Sequence, residues 1–444
     1  MAKLTYQRLV EGTERGFNIL VLLLLTGGPL PLLFPESEGS APTAGGTSVF
    51  TFMWLAIYGL ATLGILARWH RFVYLVTREK LLIALIGIAV LSTLWSAAPE
   101  VTLRSSIALV GTTLLGGYLT VRFSLSEQLH LLAWALGIAA VLSTLFALTM
   151  PTLGLWVDTS GEAWRGIYAH RNVLGRIMVL NAIACLLIVA SGKFRWMALI
   201  GFVLSICLLL LSNSQTALIV FLAFLLLLPL FEALRWRYNL TVPILAAATL
   251  LVGSTAIWLS ARIELVLSFL ERDVTLSGRT WLWPLVLDMI QRRPWLGYGY
   301  NAFWRGWEGD SAALFLRLGY ELPHAHNAIL DLLLDLGVVG VLVFALGYVF
   351  ACFRAVKLVR LSQTAAGLWP LVFLTFMLVY NVTESSILRQ NNIFWVLYVS
   401  TALSTLVVRT ELWNPTPQRR LKESTALVNL EPRARNIRTS RRQL

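Results

Sequence analysis

The sequence is poor in charge, histidine and cysteine. Charged residues occupy 13% of 444 positions, about half the share of an ordinary soluble domain, which excludes a water-soluble globule. The three cysteines, Cys185, Cys207 and Cys352, all fall within apolar segments. An odd number in such places excludes a disulfide framework and reads as small packing residues. There is no Cys/His spacing of a zinc site, no GxxxxGK[ST] loop and no GxGxxG turn, so nucleotide-driven transport and dinucleotide chemistry have no support. Nor does the formal charge of +13 signal nucleic acid, because the basic residues sit in short segments between apolar stretches and in the tail from 410.

What is abundant is apolar: 57% of residues, with a mean hydropathy of +0.72. A bilayer core about 30 Å thick takes about 20 apolar residues in a helix. Runs of that kind lie at 17-35, 49-67, 81-97, 104-121, 129-149, 173-190, 196-213, 215-233, 240-260, 328-353, 365-381 and 391-409. The expected fold is an all-α polytopic membrane protein of about twelve transmembrane helices. Basic residues favour the cytoplasmic ends of membrane helices, and every short loop that is internal when the N-terminus is inside carries some: Arg68, Arg71, Arg78 and Lys80; Arg122; Lys193 and Arg195; Arg235 and Arg237; Arg354, Lys357 and Arg360. Both termini are therefore expected in the cytoplasm. The first run could alternatively be a signal peptide, but its small-residue stretch SAPTAGG lies about ten residues too far on for a usual cleavage site.

The expected organisation is 1-260 as helices 1 to 9, 261-327 as a large helical loop on the outer side between helices 9 and 10, 328-409 as helices 10 to 12, and 410-444 as a flexible basic cytoplasmic tail. A structureless loop of that length is uncommon. Its stretch TWLWPLVLDMIQRRPWLGYGYNAFW instead predicts surface helices with turns at Pro294, Gly297 and Gly299.

Titratable chemistry gathers on the outer side. Every cation assigned there is an arginine, whose planar fork suits a phosphate better than lysine's hydrated point charge. Arg176, in RGIYAHRNVLGRIMVL, lies about one turn inside a helix, where an ionisable residue is costly and usually functional. Arg165 and Arg171 flank the same helix start, with Asn172 as its expected N-cap and the free amides there adding to an anion site. Arg279 and Arg389 complete a basic ring only if the fold brings them near.

PHAHN, at 323-327, places His324 and His326 at the mouth of an apolar helix. Imidazole accepts a proton near neutral pH without large tuning, so one histidine is expected as a base and its neighbour as support; interfacial anchoring is the bland alternative. Asn327 is placed to cap the helix or orient a ring. Asp331 and Asp335, four apart, share a helix face and either steer a histidine, pair with an arginine or serve structure alone. No DxD pair or compact carboxylate cluster is evident on the outer side, so no metal and no cofactor is expected. Trp281, Trp283, Trp295, Trp304 and Trp307 are explained by an interfacial belt or by stacking on sugar rings.

These segments, HRNVLGR, SGRTWLWPLVLDMIQRRPWLGYGYNAF and PHAHNAILDLLLDLGVVG, resemble the O-antigen ligase and polymerase superfamily of bacterial envelope glycosyltransferases. The resemblance implies a GT-C-like membrane fold and transfer of a glycan from undecaprenyl diphosphate at the periplasmic face of the inner membrane. It also implies His326 as first choice for the catalytic histidine and His324 as second. Arg165, Arg171, Arg176, Arg279 and Arg389 become the diphosphate candidates, with the indispensable one among the first three left open. One dominant outer loop and no added domain favour the lipopolysaccharide ligase, with a lipid A-core acceptor, over a polymerase or a protein O-oligosaccharyltransferase. A secondary transporter of lipid-linked glycan is the rival from another class, and it would need charges at midplane depth.

Overall fold

The computed structural model describes residues 2–29, 48–158, 161–192, 194–237, 239–243, 254 and 279–413. Most of the expected ninth run at 240-260, the long loop up to 278, the side chain of Arg279 and the tail beyond 413 lie outside the described residues. Helices dominate: α1 Ala2–Leu25, α2 Ser48–Leu66, α3 Trp69–Val76, α4 Lys80–Leu91, α5 Pro99–Arg122, α6 Leu125–Thr149, α7 Arg171–Ser191, α8 Arg195–Leu211, α9 Gln215–Ala233, α10 Arg279–Arg292, α11 Asp310–Leu318, α12 Ala328–Leu361, α13 Trp369–Tyr380 and α14 Ile393–Trp413. Among the described residues one sheet occurs, the antiparallel pair β1 (Leu155–Asp158) and β2 (Gly161–Trp164), just ahead of α7.

Among the described residues five helices, α2, α6, α7, α9 and α12, are long and apolar enough to cross a membrane, and α4, α8, α13 and α14 are shorter apolar helices. The first expected run, 17-35, begins within α1, which ends at Leu25, and its part from 30 onward lies outside the described residues. Past Leu25, Gly27 turns with φ 79° and the Thr26 hydroxyl donates to Leu23 O at 2.6 Å, closing the helix end.

Of the five, α7 is the most enclosed, with 72% of its most apolar stretch buried. A helix apolar on all faces and surrounded by protein can carry polar side chains that meet neighbours rather than lipid. Asn181 of α7 donates to Ser205 Oγ of α8 at 2.8 Å, and Asn172 Oδ1 accepts from Ser214 Oγ, just before α9, at 3.0 Å. On another side of the bundle α14 packs along α5, tied by Thr120 Oγ1 to Ser400 O (3.1 Å) and Trp395 Nε1 to Thr113 Oγ1 (3.0 Å).

α10, α11 and the segments around them enclose a second apolar cluster built on Leu282, Val286, Met289, Tyr298, Phe303, Trp304, Leu314 and Phe315. This cluster meets the bundle at a break in α12. The expected run at 328-353 is not continuous helix: Gly337 adopts φ 63°, ψ −165°, a region essentially reserved for glycine. A helix interrupted there frees carbonyls before the break and amides after it. The segment Pro294–Gly299 takes two of each. Val338 N donates to Pro294 O (2.8 Å) and Val339 N to Trp295 O (3.2 Å), while Tyr298 N donates to Leu334 O (2.7 Å) and Gly299 N to Asp335 O (3.0 Å). The approach is so close that a Cβ on Gly337 would lie 2.3 Å from Trp295 C, and one on Gly297 2.5 Å from Leu334 O. The glycines of PWLGYG and LDLGVVG are thus two halves of one joint.

Candidate active site

The histidine segment is held from both ends. Asn327 caps α12, its Oδ1 accepting from Ile329 N (3.0 Å) and Leu330 N (3.1 Å). Just before it His326 takes a left-handed conformation, φ 52°, which costs a non-glycine residue about 1–3 kcal/mol and persists only where surrounding contacts impose it. Those contacts are visible. Ala325 is fully buried, its N donates to Asp331 Oδ1 (3.0 Å) and its O accepts from Trp283 Nε1 (3.1 Å). The turn brings the two imidazoles face to edge with centroids 4.2 Å apart. His324 Nδ1 accepts from the His326 backbone N at 3.2 Å, so this ring helps to fold the turn.

Asp331, one turn into α12, steers the histidines through the backbone. Its carboxylate accepts from Ala325 N, from Trp304 Nε1 (2.8 Å) and from the Ser385 hydroxyl. A carboxylate with three donors is well satisfied in a buried place. Asp335 sits one turn deeper and accepts from Asn301 N at 3.0 Å. Beside it, Tyr300 is buried and donates to Leu388 O (2.5 Å) and Gln390 Oε1 (2.8 Å). Burial, and then the charge of Asp335, push the Tyr300 hydroxyl well above the usual phenol range, with Arg389 acting against them, so it serves as a neutral donor.

The arginines part company. Arg176 lies on the enclosed helix α7, its guanidinium 5.6 Å from the Tyr380 ring and 5.4 Å from the Phe394 ring. Its Nε is buried without a hydrogen-bond partner, and it makes no ion pair with any carboxylate among the described residues. Arg165 instead spends its Nε on Leu153 O (2.8 Å) and Nη1 on Ala169 O (3.3 Å), beside Trp156 of β1. Arg171 opens α7. The expected cap there is corrected: His170, not Asn172, is the N-cap, its Nδ1 accepting from Asn172 N at 3.1 Å. Asn172 is two residues too late for that role, and its side chain meets Ser214 just before α9. Arg389 lies in the chain between Leu388 and Gln390, both of which accept from Tyr300.

The loop between α13 and α14, of which the sequence pointed only to Arg389, is the organiser. It begins at Tyr380, under Arg176. Next, Asn381 O accepts from Ala328 N (3.1 Å) and Val382 O from Asn327 Nδ2 (3.2 Å), zipping the loop to the histidine segment. Glu384 follows, with a carboxylate oxygen and one nitrogen of each of His324 and His326 all within 4.8 Å of one another, a group that could hold a metal ion. Ser385 then meets Asp331, and Leu388 and Gln390 meet Tyr300. Glu384 was missed because a lone glutamate carries no motif, although TESS is a polar island between two apolar runs and could have drawn attention. The tryptophans divide as well: Trp283 and Trp304 hold the histidine segment by their N–H groups, while Trp281, Trp295 and Trp307 are exposed.

Two comparisons bear on this site. The sequence model of the O-antigen ligase family matches residues 200–345. The chain is also 25% identical over 283 residues to the exopolysaccharide production protein ExoQ of Rhizobium meliloti (strain 1021), covering 61% of this chain and 63% of that protein, so the match spans less than two thirds of the relative's length. PHAHN, Asp331, Asp335 and the Pro294–Gly299 joint all fall inside the matched family region, and Arg176 and the Glu384 loop fall outside it. The match to residues 200–345 is thus a similarity to the O-antigen ligase family, in line with the resemblance of the histidine and tryptophan segments.

Proposed function

We propose that this chain is a glycosyltransferase that moves a glycan from undecaprenyl diphosphate to a lipid A-core sugar hydroxyl at the periplasmic face of the bacterial inner membrane. The observation that carries this reading is Arg176: a half-buried guanidinium whose Nε is enclosed without a hydrogen-bond partner and which has no described carboxylate partner, lying over Tyr380 at the start of the loop that docks the two histidines. A cation withdrawn partly from water with an unpartnered Nε is costly, so its retention beside Tyr380 fits a seat for an anion that arrives with substrate.

In this reading the acceptor hydroxyl attacks the anomeric carbon of the donor and His326 removes its proton. The bond from that carbon to the diphosphate oxygen breaks, and the electron pair leaves on the lipid diphosphate, where Arg176 stabilises the growing charge, with Arg171 and Arg389 as further candidates. Single displacement inverts the anomeric configuration. His324 folds the turn, Asn327 and Asp331 fix it, and Asp335 fixes the joint behind it. Arg165 and Arg279 remain candidates at the rim. Twelve crossings, both termini inside, and the boundaries 1-260, 261-327, 328-409 and 410-444 complete the proposal.

The test is purified full-length protein with polyprenyl-diphosphate glycan and lipid A-core in detergent. A covalent product is expected, reduced about 10²–10⁴-fold in His326→Ala. Retention of transfer by both His326→Ala and His324→Ala would dismiss the assignment. The name of the relative, an exopolysaccharide production protein, favours a second reading in which the acceptor is another lipid-linked glycan. Exchanging the acceptor in the same assay separates ligation from chain extension.

A further inference from the structure

We propose that His324, His326 and Glu384 form a reversible site for a divalent transition metal of the Zn²⁺ class, and that its occupancy arrests glycosyl transfer. This rests on the reading of His326 as the base.

The donor set is two imidazoles and one carboxylate, brought together from two separate segments. Such a set matches the three protein ligands of open zinc sites, and imidazole selects Zn²⁺, Cu²⁺ or Ni²⁺ over Mg²⁺ and Ca²⁺, which prefer oxygen alone. The approach of Glu384 is fixed by contacts on both sides of it: Asn381 O and Val382 O bond to Ala328 and Asn327, and Ser385 bonds to Asp331. All three donors are partly exposed, so an ion can reach them.

The three donor atoms lie within 4.8 Å of one another, and ligands around a tetrahedral zinc with bonds of about 2.0–2.1 Å lie about 3.4 Å apart. Their partial exposure lets an ion exchange with solvent, and the strained turn at His326 resists large movement toward it. A metal bound there takes the imidazole lone pair that would otherwise accept the acceptor's proton. Glycosyl transfer then loses its base while the arginines remain untouched.

The test uses the wild-type chain in detergent, stripped with EDTA, then titrated separately with Zn²⁺, Mg²⁺ and Ca²⁺. Metal binding is read by competition with a chromophoric chelator, and transfer by covalent product. Zn²⁺ is expected to bind once per chain and to lower transfer at least about tenfold, reversibly with EDTA, because general-base catalysis is worth more than that. Mg²⁺ and Ca²⁺ are expected to do neither. Glu384→Gln and His324→Ala should each weaken Zn²⁺ binding about tenfold or more, read by the chelator alone. Should either variant unfold, the wild-type titration still decides. Full transfer in saturating Zn²⁺, with His326→Ala inactive, would overturn the arrest and leave the base assignment standing. Undiminished binding in both variants would overturn the site, and an EDTA-stripped enzyme that needs Zn²⁺ to work would overturn arrest in favour of a resident cofactor.

Discussion

Replacing Gly337 by alanine is the sharpest test of how the site is built. At φ 63°, ψ −165° any side chain is strained, at about 1–3 kcal/mol. The new Cβ would also lie 2.3 Å from both C and O of Trp295 and 2.5 Å from Leu296 N, and backbone atoms cannot swing aside as a side-chain tip does. Overpacking of that kind adds about 1–3 kcal/mol. The joint is thus expected to lose about 2–6 kcal/mol, which weakens docking of Pro294–Gly299 on α12 by about thirty-fold or more. Because Asn301 and Trp304 bind Asp335 and Asp331 just beyond that joint, the histidine turn should loosen with it. Gly87→Ala in α4, where nothing lies within 4 Å of the added atom, is the control. Both variants are compared by thermal unfolding in detergent and by glycan transfer. Equal melting and equal activity in the two would refute the argument that the broken helix positions the site.

Arg176→Met should lower transfer by about 10²–10³-fold while the melting temperature holds or rises, since a half-buried cation with an unpartnered Nε leaves; a fall in melting with transfer intact would contradict the anion seat. Asp331→Ala removes the acceptor of buried Ala325 N and of Trp304 Nε1, at about 1–3 kcal/mol for each orphaned donor, and Asp331→Asn, which keeps one oxygen, should be milder in the same unfolding assay. Far from the site, Glu79 pairs with Arg354, and burial pushes its carboxyl up to about 7 with the Arg354 charge acting against it. A raised native value means that the folded state holds the proton more tightly, so stability is full below about 4.5 and is lost as pH rises through about 7. Glu79→Gln should flatten that slope in unfolding curves taken between pH 5 and 8; an unchanged slope would place the linkage elsewhere.

Runs of about 20 apolar residues and a polar cap at Asn327 were legible because they are local: helix length follows bilayer thickness, and a cap needs only its own turn. Arg176 was legible for a similar reason, since a charge inside an apolar run is conspicuous wherever it points. The break at Gly337 was not, because a glycine in an apolar helix reads as packing until the carbonyl of Trp295 is seen against it. Nor could spacing show that Asp331 reaches the histidines through Ala325 N, or that Glu384 arrives from a loop nearly sixty positions on. By itself the sequence determined a membrane-spanning helical chain with histidines and arginines gathered in a few segments, for hydropathy and side-chain chemistry belong to residues singly. Only the tertiary structure decided which of them meet. Contacts between distant segments arise from buried backbone groups seeking partners across a broken helix, and that demand is invisible until the helices are packed.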